Sequence, residues 1–310
     1  MIAFGPVPSR RLGKSLGINN IPPKQCTYSC IYCQVGCTTD KNMERRPFYE
    51  PDAVLTAVRD LLKNVGEPVD YLSFVPDGEP TLDANLGRTI EQLRTLGIPI
   101  AIISNASLVW RPDVCEDLGM ADWVSLKIDS VDEKIWKRID RPNHHLDFQS
   151  VMKGVRDFAQ IYTGELVTET MLVEGINDDA DSLERVARFI ASINPRKAYL
   201  SIPIRPPTDN RVHSPDEETV TRAYRTFSRF LPNVECLTGH EGEDFGHTGN
   251  FEQDLLNITA VHPLRQEAVQ ELCKHDGADW DCLEAMIHNK KLARVNYAGE
   301  TYYTRKWDHR

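Results

Sequence analysis

The stretch Cys26-Thr27-Tyr28-Ser29-Cys30-Ile31-Tyr32-Cys33 places three cysteines within eight residues, in the spacing C-x3-C-x2-C. Three thiolates this close together are typical of a metal or iron–sulfur site. A structural zinc site normally takes four ligands, often as two C-x2-C pairs, whereas this chain has one such pair and Cys37 as a candidate fourth thiolate. A four-iron cluster held by three protein thiolates leaves one iron free for a small molecule, and this vacancy indicates catalysis.

Outward from this stretch, short apolar runs alternate with segments of helical apolar spacing. The predicted helices are 51–65, 86–96, 112–118, 148–162, 182–193 and 215–230, and the predicted strands are 69–75, 98–104, 123–128, 166–173, 198–204 and 234–237. Such alternation indicates βα units around a parallel sheet. About six repeats are too few for a closed eight-fold barrel, so the sequence predicts an α/β fold with a partial (βα)6 TIM-like barrel, and a doubly wound sheet stays open. Residues 1–25, rich in Gly, Pro and Arg, predict irregular chain with short strands.

From residue 239 onward the chain changes its pattern. Residues 239–260 are predicted as a linker between a first domain, 1–238, and a small module, 261–310. Helices at 263–275 and 280–289 followed by a hairpin at 292–297 and 301–305 indicate a winged helix-turn-helix. The module holds eight Lys and Arg and eight Asp and Glu, with the bases mostly after residue 288. Nucleic-acid binding, protein docking and dimerisation therefore all stay open.

Composition limits the class of protein. Hydrophobic residues make up 41% of the 310 residues and charged residues 26%, which is usual for a globular chain with a substantial core. The formal charge of −10 excludes a protein that binds nucleic acid through its overall charge. No apolar run has the length of a membrane span, and the N-terminus lacks the pattern of a signal peptide. We therefore expect a cytoplasmic protein without a membrane partner, in which the eight cysteines stay reduced.

The cysteine motif, with Tyr32 before its last cysteine, resembles the signature of the radical S-adenosylmethionine (radical SAM) superfamily. The resemblance implies that Cys26, Cys30 and Cys33 hold a 4Fe-4S cluster whose free iron binds the amino and carboxylate groups of S-adenosyl-L-methionine (SAM). It implies that one electron cleaves SAM to methionine and a 5′-deoxyadenosyl radical, which takes a hydrogen atom from the substrate. The aromatic Tyr32 would lie near the adenine, and a flavodoxin or ferredoxin would donate the electron.

Polar residues at predicted strand ends agree with this resemblance. Gly78-Glu79-Pro80-Thr81-Leu82 resembles the family's Gly-Gly-Glu element, where a carboxylate and backbone carbonyls receive the ammonium group of SAM and glycine lets the backbone approach. The alternative for this segment is a simple turn. Lys127 and Asp129 could instead form a buried structural ion pair. Arg205 is either a surface arginine or an anion clamp for a substrate or the SAM carboxylate. The residues that the resemblance places around SAM are Tyr32, Asp77, Gly78, Glu79, Ser104, Asn105, Lys127, Asp129, Glu169 and Arg205.

Two further polar clusters have a structural or solvent-exposed role as the alternative to a functional one. Arg10, Arg11 and Lys14 form a basic cluster near the cysteines, which either binds an anionic group of the substrate or is a solvated entry loop. His144 and His145 are interpreted as solvated or structural, because no further ligand accompanies them.

Within the superfamily, residues 4–240 are most similar to proteins related to the tRNA wyosine-base synthases. Those synthases carry upstream cysteines for a second cluster, whereas no cysteine precedes Cys26, so we expect one cluster. The substrate stays unidentified, with RNA, a nucleoside or a protein as classes that the C-terminal module would admit. The alternatives are an enzyme that makes a glycyl radical on a partner protein, a cluster-bearing regulator that binds nucleic acid, and a structural metal-binding protein.

Overall fold

The computed structural model describes residues 2–38, 40–239, 245, 249–259 and 263–306. Its strands are β1 Ala3–Ser9, β2 Gly13–Ile18, β3 Gln25–Cys26, β4 Asp40–Lys41, β5 Tyr71–Phe74, β6 Ile100–Ser104, β7 Trp123–Lys127, β8 Glu165–Met171, β9 Lys197–Ser201, β10 Val234–Leu237, β11 Leu264–Arg265, β12 Leu292–Tyr297 and β13 Glu300–Arg305. Its helices are α1 Pro51–Asn64, α2 Leu86–Leu93, α3 Pro112–Gly119, α4 Glu133–Ile139, α5 Phe148–Ile161, α6 Ala180–Ser192, α7 Glu217–Ser228, α8 Phe251–Thr259, α9 Gln266–Asp276 and α10 Trp280–His288. Short 3-10 turns cover Pro80–Leu82 and Arg94–Leu96.

The main sheet contains eight strands in the order β1-β2-β5-β6-β7-β8-β9-β10. Every neighbouring pair from β2 to β10 is parallel, and β1 pairs with β2 in the antiparallel direction. The α/β fold with a mostly parallel sheet, predicted from the alternating pattern, is confirmed. The carboxyl ends of the parallel strands meet at one edge, where ligands of such sheets bind.

The sequence predicts irregular chain with short strands for residues 1–25, and the structure contains such strands as β1 and β2, which are members of the main sheet. Ser15 to Ile18 of β2 pair with Tyr71 to Phe74 of β5, so β2 delivers the cysteine stretch to the carboxyl edge. Glycine serves the turn between these two strands, where Gly13 has a φ of +65°.

One face of the sheet packs against the helices, and the opposite face carries a smaller apolar cluster together with the polar side chains at its carboxyl edge. In β7, Val124 and Leu126 lie in the large core under the helices, together with Val54 and Val58 of α1. Residues between them point to the opposite face, since successive strand side chains alternate. Lys127 accordingly lies on the face opposite this core.

The C-terminal residues form a second small sheet with strand order β11-β13-β12 and a hydrophobic core of their own. The predicted helices and hairpin lie where the pattern placed them, as α9, α10, β12 and β13. The range 239–260, predicted as linker, contains helix α8, whose first turn is capped by Asn250. Residues 240–244, 246–248 and 260 of that linker lie outside the described residues. Across the described residues, no helix is both long and apolar enough to cross a membrane.

Candidate functional site

The three cysteines of the motif lie at the carboxyl edge of the sheet and line one cavity of about 290 Å³. Their loop is held by backbone bonds from Ser29 and Ile31 to the end of α4, and by the pairing of β3 with β4. Among the residues that the structure describes, no three His, Cys, Asp or Glu side chains are grouped closely enough to hold a single metal ion. Cys37 is exposed and does not line the cavity.

Gly78 and Glu79 connect the cysteine loop to the strand ends. A Cβ atom on Gly78 would lie 1.9 Å from the backbone oxygen of Gln25, so only glycine allows this approach. The approaching backbone is therefore that of the cysteine loop. The amide of Glu79 donates to the same oxygen at 3.0 Å.

The Glu79 carboxylate is buried and binds four donors. It accepts from the amide and hydroxyl of Thr81, the hydroxyl of Ser104 and the amide of Asn105, at 2.6–3.1 Å. Burial raises the pKa of Glu79, and these hydrogen bonds oppose the rise. The side chain of Asn105 continues the network to Thr27 at 2.9 Å and to the sulfur of Cys26 at 3.5 Å. The turns after β5 and β6 are thereby tied to the first cysteine.

A second charged group lies on β7 and β8. Glu169 accepts from Ser201 at 3.0 Å and from Lys127 at 3.3 Å, and it also pairs with Arg11. Burial raises the pKa of Glu169, but Lys127 and Arg11 lower it more strongly, to about 2. Burial lowers the pKa of Lys127, and Glu169 together with Asp129 brings it above its ordinary value.

Tyr32 joins this charged group to the cysteines. The ammonium of Lys127 lies 4.7 Å from the centre of the Tyr32 ring, and the Tyr32 hydroxyl donates to Asp129. Asp129 also accepts from the amide of Met171 and lies behind Tyr32, outside the cavity lining. A buried carboxylate that the sequence did not single out, Asp140, accepts from the sulfur of Cys30 at 3.3 Å. Its position at the end of α4 follows only from the fold.

The remaining predicted residues divide between the cavity and the surface. Asp77 lines the cavity 3.5 Å from Lys24, and burial raises its pKa to about 6 although Lys24 lowers it. Arg205 also lines the cavity and donates to Gln34 at 3.1 Å. Of the basic cluster, Arg10 and Arg11 line the cavity. Lys14 pairs with Glu67 on the surface, and His144 and His145 are exposed with their rings 3.8 Å apart.

Lys24 was missed by sequence reasoning, although it lies two residues before the first cysteine. With its inclusion, the cavity collects the predicted residues Tyr32, Asp77, Gly78, Glu79, Ser104, Asn105, Lys127, Glu169 and Arg205 beside the three cysteines. The arrangement offers thiolates for a cluster, a carboxylate with backbone groups for an ammonium, and several cations for anions.

Comparisons with known proteins identify the family of this chain and structures with a similar fold. The model of the radical SAM superfamily matches residues 20–190. The UPF0026 protein MJ1312 of Methanocaldococcus jannaschii is 45% identical over 305 residues, covering 97% of this chain and 95% of its own. A UPF0026 protein of Helicobacter pylori J99 is 38% identical over 306 residues, covering 97% of each chain. The structure of TYW1 with a lysine–pyruvate adduct bound superposes with a TM-score of 0.53 at 16% identity, over 70% of this chain and 74% of that one, which shows a shared fold.

Proposed function

Because this chain belongs to the radical SAM superfamily of enzymes and to the UPF0026 proteins, we propose that Cys26, Cys30 and Cys33 bind a 4Fe-4S cluster and that the cavity beside them binds SAM. The observation that carries the proposal is the single cavity that the cysteines share with the Gly78-Glu79 turn. The bound cluster would supply the electron that cleaves SAM to methionine and a 5′-deoxyadenosyl radical, which removes hydrogen from the substrate. A flavodoxin or ferredoxin would be the electron donor.

The protein groups around the cavity bind and orient SAM in this proposal. Glu79 keeps the turns after β5 and β6 in place, and its carboxylate attracts the ammonium of the methionine part. Ser104 and Asn105 fix that carboxylate, and Tyr32 offers a ring face to the adenine. Asp129 acts through Tyr32 by holding its hydroxyl.

A partial (βα)6 barrel is the shape we propose for the main sheet. Its support is a cluster on the inner face that joins Leu12, Ala101 of β6, Val167 of β8 and Leu237 of β10. The cluster runs across the adjacent strands β6 to β10. The β1–β2 turn lies at the other end of the sheet order, yet Arg11 pairs with Glu169 of β8 and Arg10 donates to the carbonyl of Gly239 after β10, as in a sheet that curls around its interior. Leu12, from the β1–β2 turn, packs into that interior.

We also interpret the C-terminal residues as a winged-helix module, with the order α8–β11–α9–α10–β12–β13 as support. The hairpin β12–β13 would be the wing. Its tyrosines hydrogen-bond the main domain, with the Tyr297 hydroxyl 2.8 Å from the oxygen of Pro203 and that of Tyr302 2.8 Å from the oxygen of Ile204. These contacts favour a supporting role for the module, because Pro203 and Ile204 line the cavity beside the cysteines.

The test is anaerobic reconstitution of the full chain with iron and sulfide. We expect about four irons per chain, and 5′-deoxyadenosine from SAM once a chemical reductant is added. Cys30→Ala should lose iron and the product, whereas Cys37→Ala, outside the cavity, should keep both. A reconstituted protein that forms no 5′-deoxyadenosine, together with a Cys30→Ala variant of unchanged iron content, would refute the proposal.

A further inference from the structure

The side chain of Asn105 lies beside the first cysteine of the motif. Its Nδ2 atom is 3.5 Å from the sulfur of Cys26 and 2.9 Å from the hydroxyl oxygen of Thr27. The backbone amide of the same residue donates to the Glu79 carboxylate at 2.7 Å. Asn105 therefore offers one donor to a proposed cluster ligand and another to the carboxylate proposed for the ammonium of SAM.

The orientation of the Asn105 side chain follows from its acceptor end. Its Oδ1 atom accepts from the backbone amide of Ser107 at 3.0 Å, so the NH2 group is the end that faces Thr27 and Cys26. The two N–H bonds of that group are enough for both neighbours. The hydroxyls of Thr27 and Ser107 are fully buried and lie 2.6 Å apart. This network holds the donor at the sulfur.

The surroundings of Cys26 disfavour negative charge on its sulfur. Burial raises the pKa of the Cys26 thiol well above its ordinary value, and the charge of Glu79 raises it further, although backbone amides of the loop oppose the rise. An N–H···S bond from Asn105 offsets part of the cost of a thiolate at this position. Cys30 has the opposite neighbour, because its sulfur lies 3.3 Å from a carboxyl oxygen of Asp140, an acceptor.

We propose that Asn105 raises the reduction potential of the cluster by donating a hydrogen bond to the Cys26 ligand. This inference rests on the proposed function, which supplies the cluster. Reduction adds one electron from the external donor to the cluster, and a hydrogen-bond donor on a ligand sulfur stabilises the more negative form. The cluster is thereby easier to reduce. Asn105 acts through Cys26 as a positioning residue and exchanges neither an electron nor a proton.

The test is a redox titration of the anaerobically reconstituted full chain without SAM, with dithionite as reductant and the electron paramagnetic resonance signal of the reduced cluster as readout. We expect Asn105→Ala to make one-electron reduction about fivefold to tenfold less favourable, where tenfold corresponds to about 59 mV. Asn105→Asp keeps the shape of the side chain and the acceptor for Ser107, but it places a carboxylate beside the sulfur. At pH 8 its potential should fall further than that of Asn105→Ala.

Ser107→Ala is the matched control, because it removes a hydroxyl of the same network that contacts Thr27 and not the sulfur. Its potential should equal that of wild type. Iron per chain is measured for every variant, and the Asp variant carries the test if the Ala variant does not retain the cluster.

The order of the potentials separates a donor from a merely structural residue. A structural role predicts that Asn105→Asp, which is nearly isosteric, stays closest to wild type. That order would overturn the proposal, and so would equal potentials in wild type and Asn105→Ala. A shift in Ser107→Ala as large as in Asn105→Ala would overturn it as well, because loosening of the loop would then explain both.

Formation of 5′-deoxyadenosine is measured on the same samples, to separate the two proposals. A protein that cleaves SAM while its potential does not depend on Asn105 defeats the role of Asn105 alone. A protein whose cluster potential falls in Asn105→Ala but that forms no 5′-deoxyadenosine defeats the proposed SAM chemistry and leaves the role of Asn105 intact. A chain that binds no iron defeats both.

Discussion

At the scale of single residues, Glu169 is the carboxylate on which two buried cations depend. Its pKa is lowered from 4.5 to about 2, with burial opposing and Lys127 and Arg11 favouring the ionised form. A carboxyl whose folded pKa lies below the unfolded one stabilises the protein above the unfolded pKa, and that contribution is lost as the pH falls toward the folded pKa. The relevant window is therefore about pH 4.5 down to about 2.

We predict that Glu169→Gln lowers the free energy of unfolding on the order of 3 kcal/mol at pH 7, from the size of that shift. The difference from wild type should be constant between pH 8 and 5 and should shrink as the pH falls below about 4.5. Urea unfolding of the cluster-free protein at a series of pH values measures it. Glu165→Gln, an exposed residue on the same strand, is the control and should change little. A difference that grows on acidification would contradict the assigned charge pairing.

The roles of residues were predictable from the sequence where the residues of a motif are close together in the chain. They were less predictable where the fold brings distant residues into contact. The cysteines and the Gly-Glu turn stand out by spacing, and the structure brings both to one cavity. The reason for Gly78 was not readable, because its close neighbour, the backbone of Gln25, lies 53 positions away in the chain. Asp140 lies directly after α4, and Lys24 lies in the loop that follows β2. Neither position belongs to a sequence motif, so only the fold shows that both residues are near the cysteines.

At the scale of elements, the hairpin β12–β13 is the part of the C-terminal module that reaches the cavity wall. The buried Tyr302 hydroxyl donates to the carbonyl of Ile204, directly before Arg205. Tyr303, the next residue, packs into the core of the module instead. Alternating strand faces thus give one tyrosine to the wall and the next to the core.

We predict that Tyr302→Phe costs about 1 kcal/mol, the usual net contribution of one hydrogen bond, and loosens the segment from Ile202 to Arg205. Hydrogen exchange of the amides in that segment should be faster than in wild type, while amides of β7 keep their rates. Tyr303→Phe is the matched control and should leave exchange in the segment unchanged. Equal exchange in wild type and Tyr302→Phe would show that the hairpin does not hold this wall.

Elements of the sheet were predictable because buried parallel strands read as short apolar runs between amphipathic helices. Strands β10 and β12 agree residue for residue, and the other predicted strands differ by one to three residues at one or both ends. Helix α8 was not predicted, because its residues fall within the range 239–260 that was assigned as linker. Its nine residues, Phe251–Thr259, follow Asn250, a good N-cap, but the glycine-rich polar stretch before them dominated the pattern.

At the scale of the whole molecule, the two hydrophobic cores are linked by contacts across their boundary. Val7 of β1 packs against the core of the C-terminal module, α8 packs on β1, and Tyr297 and Tyr302 bond the main domain. Arg305 of β13 also lies close enough to Asp77 for the two charges to interact. Such coupling favours unfolding of both parts in one cooperative transition.

We predict that Leu283→Ala, at a fully buried position in the core of the module, lowers the stability of the whole chain by about 2–5 kcal/mol, the range for such truncations. The reconstituted protein is heated anaerobically while far-ultraviolet circular dichroism and the visible absorbance of the cluster are recorded together. Both signals should shift to the same lower temperature, because loss of the module also removes the support of β1 and of the wall before Arg205. Leu61→Ala, at a half-buried position of α1 in the main core, is the comparison and should also shift both signals together. If Leu283→Ala produced an early dichroism change while the cluster absorbance persisted to the wild-type temperature, the module would unfold independently and could not support the cavity.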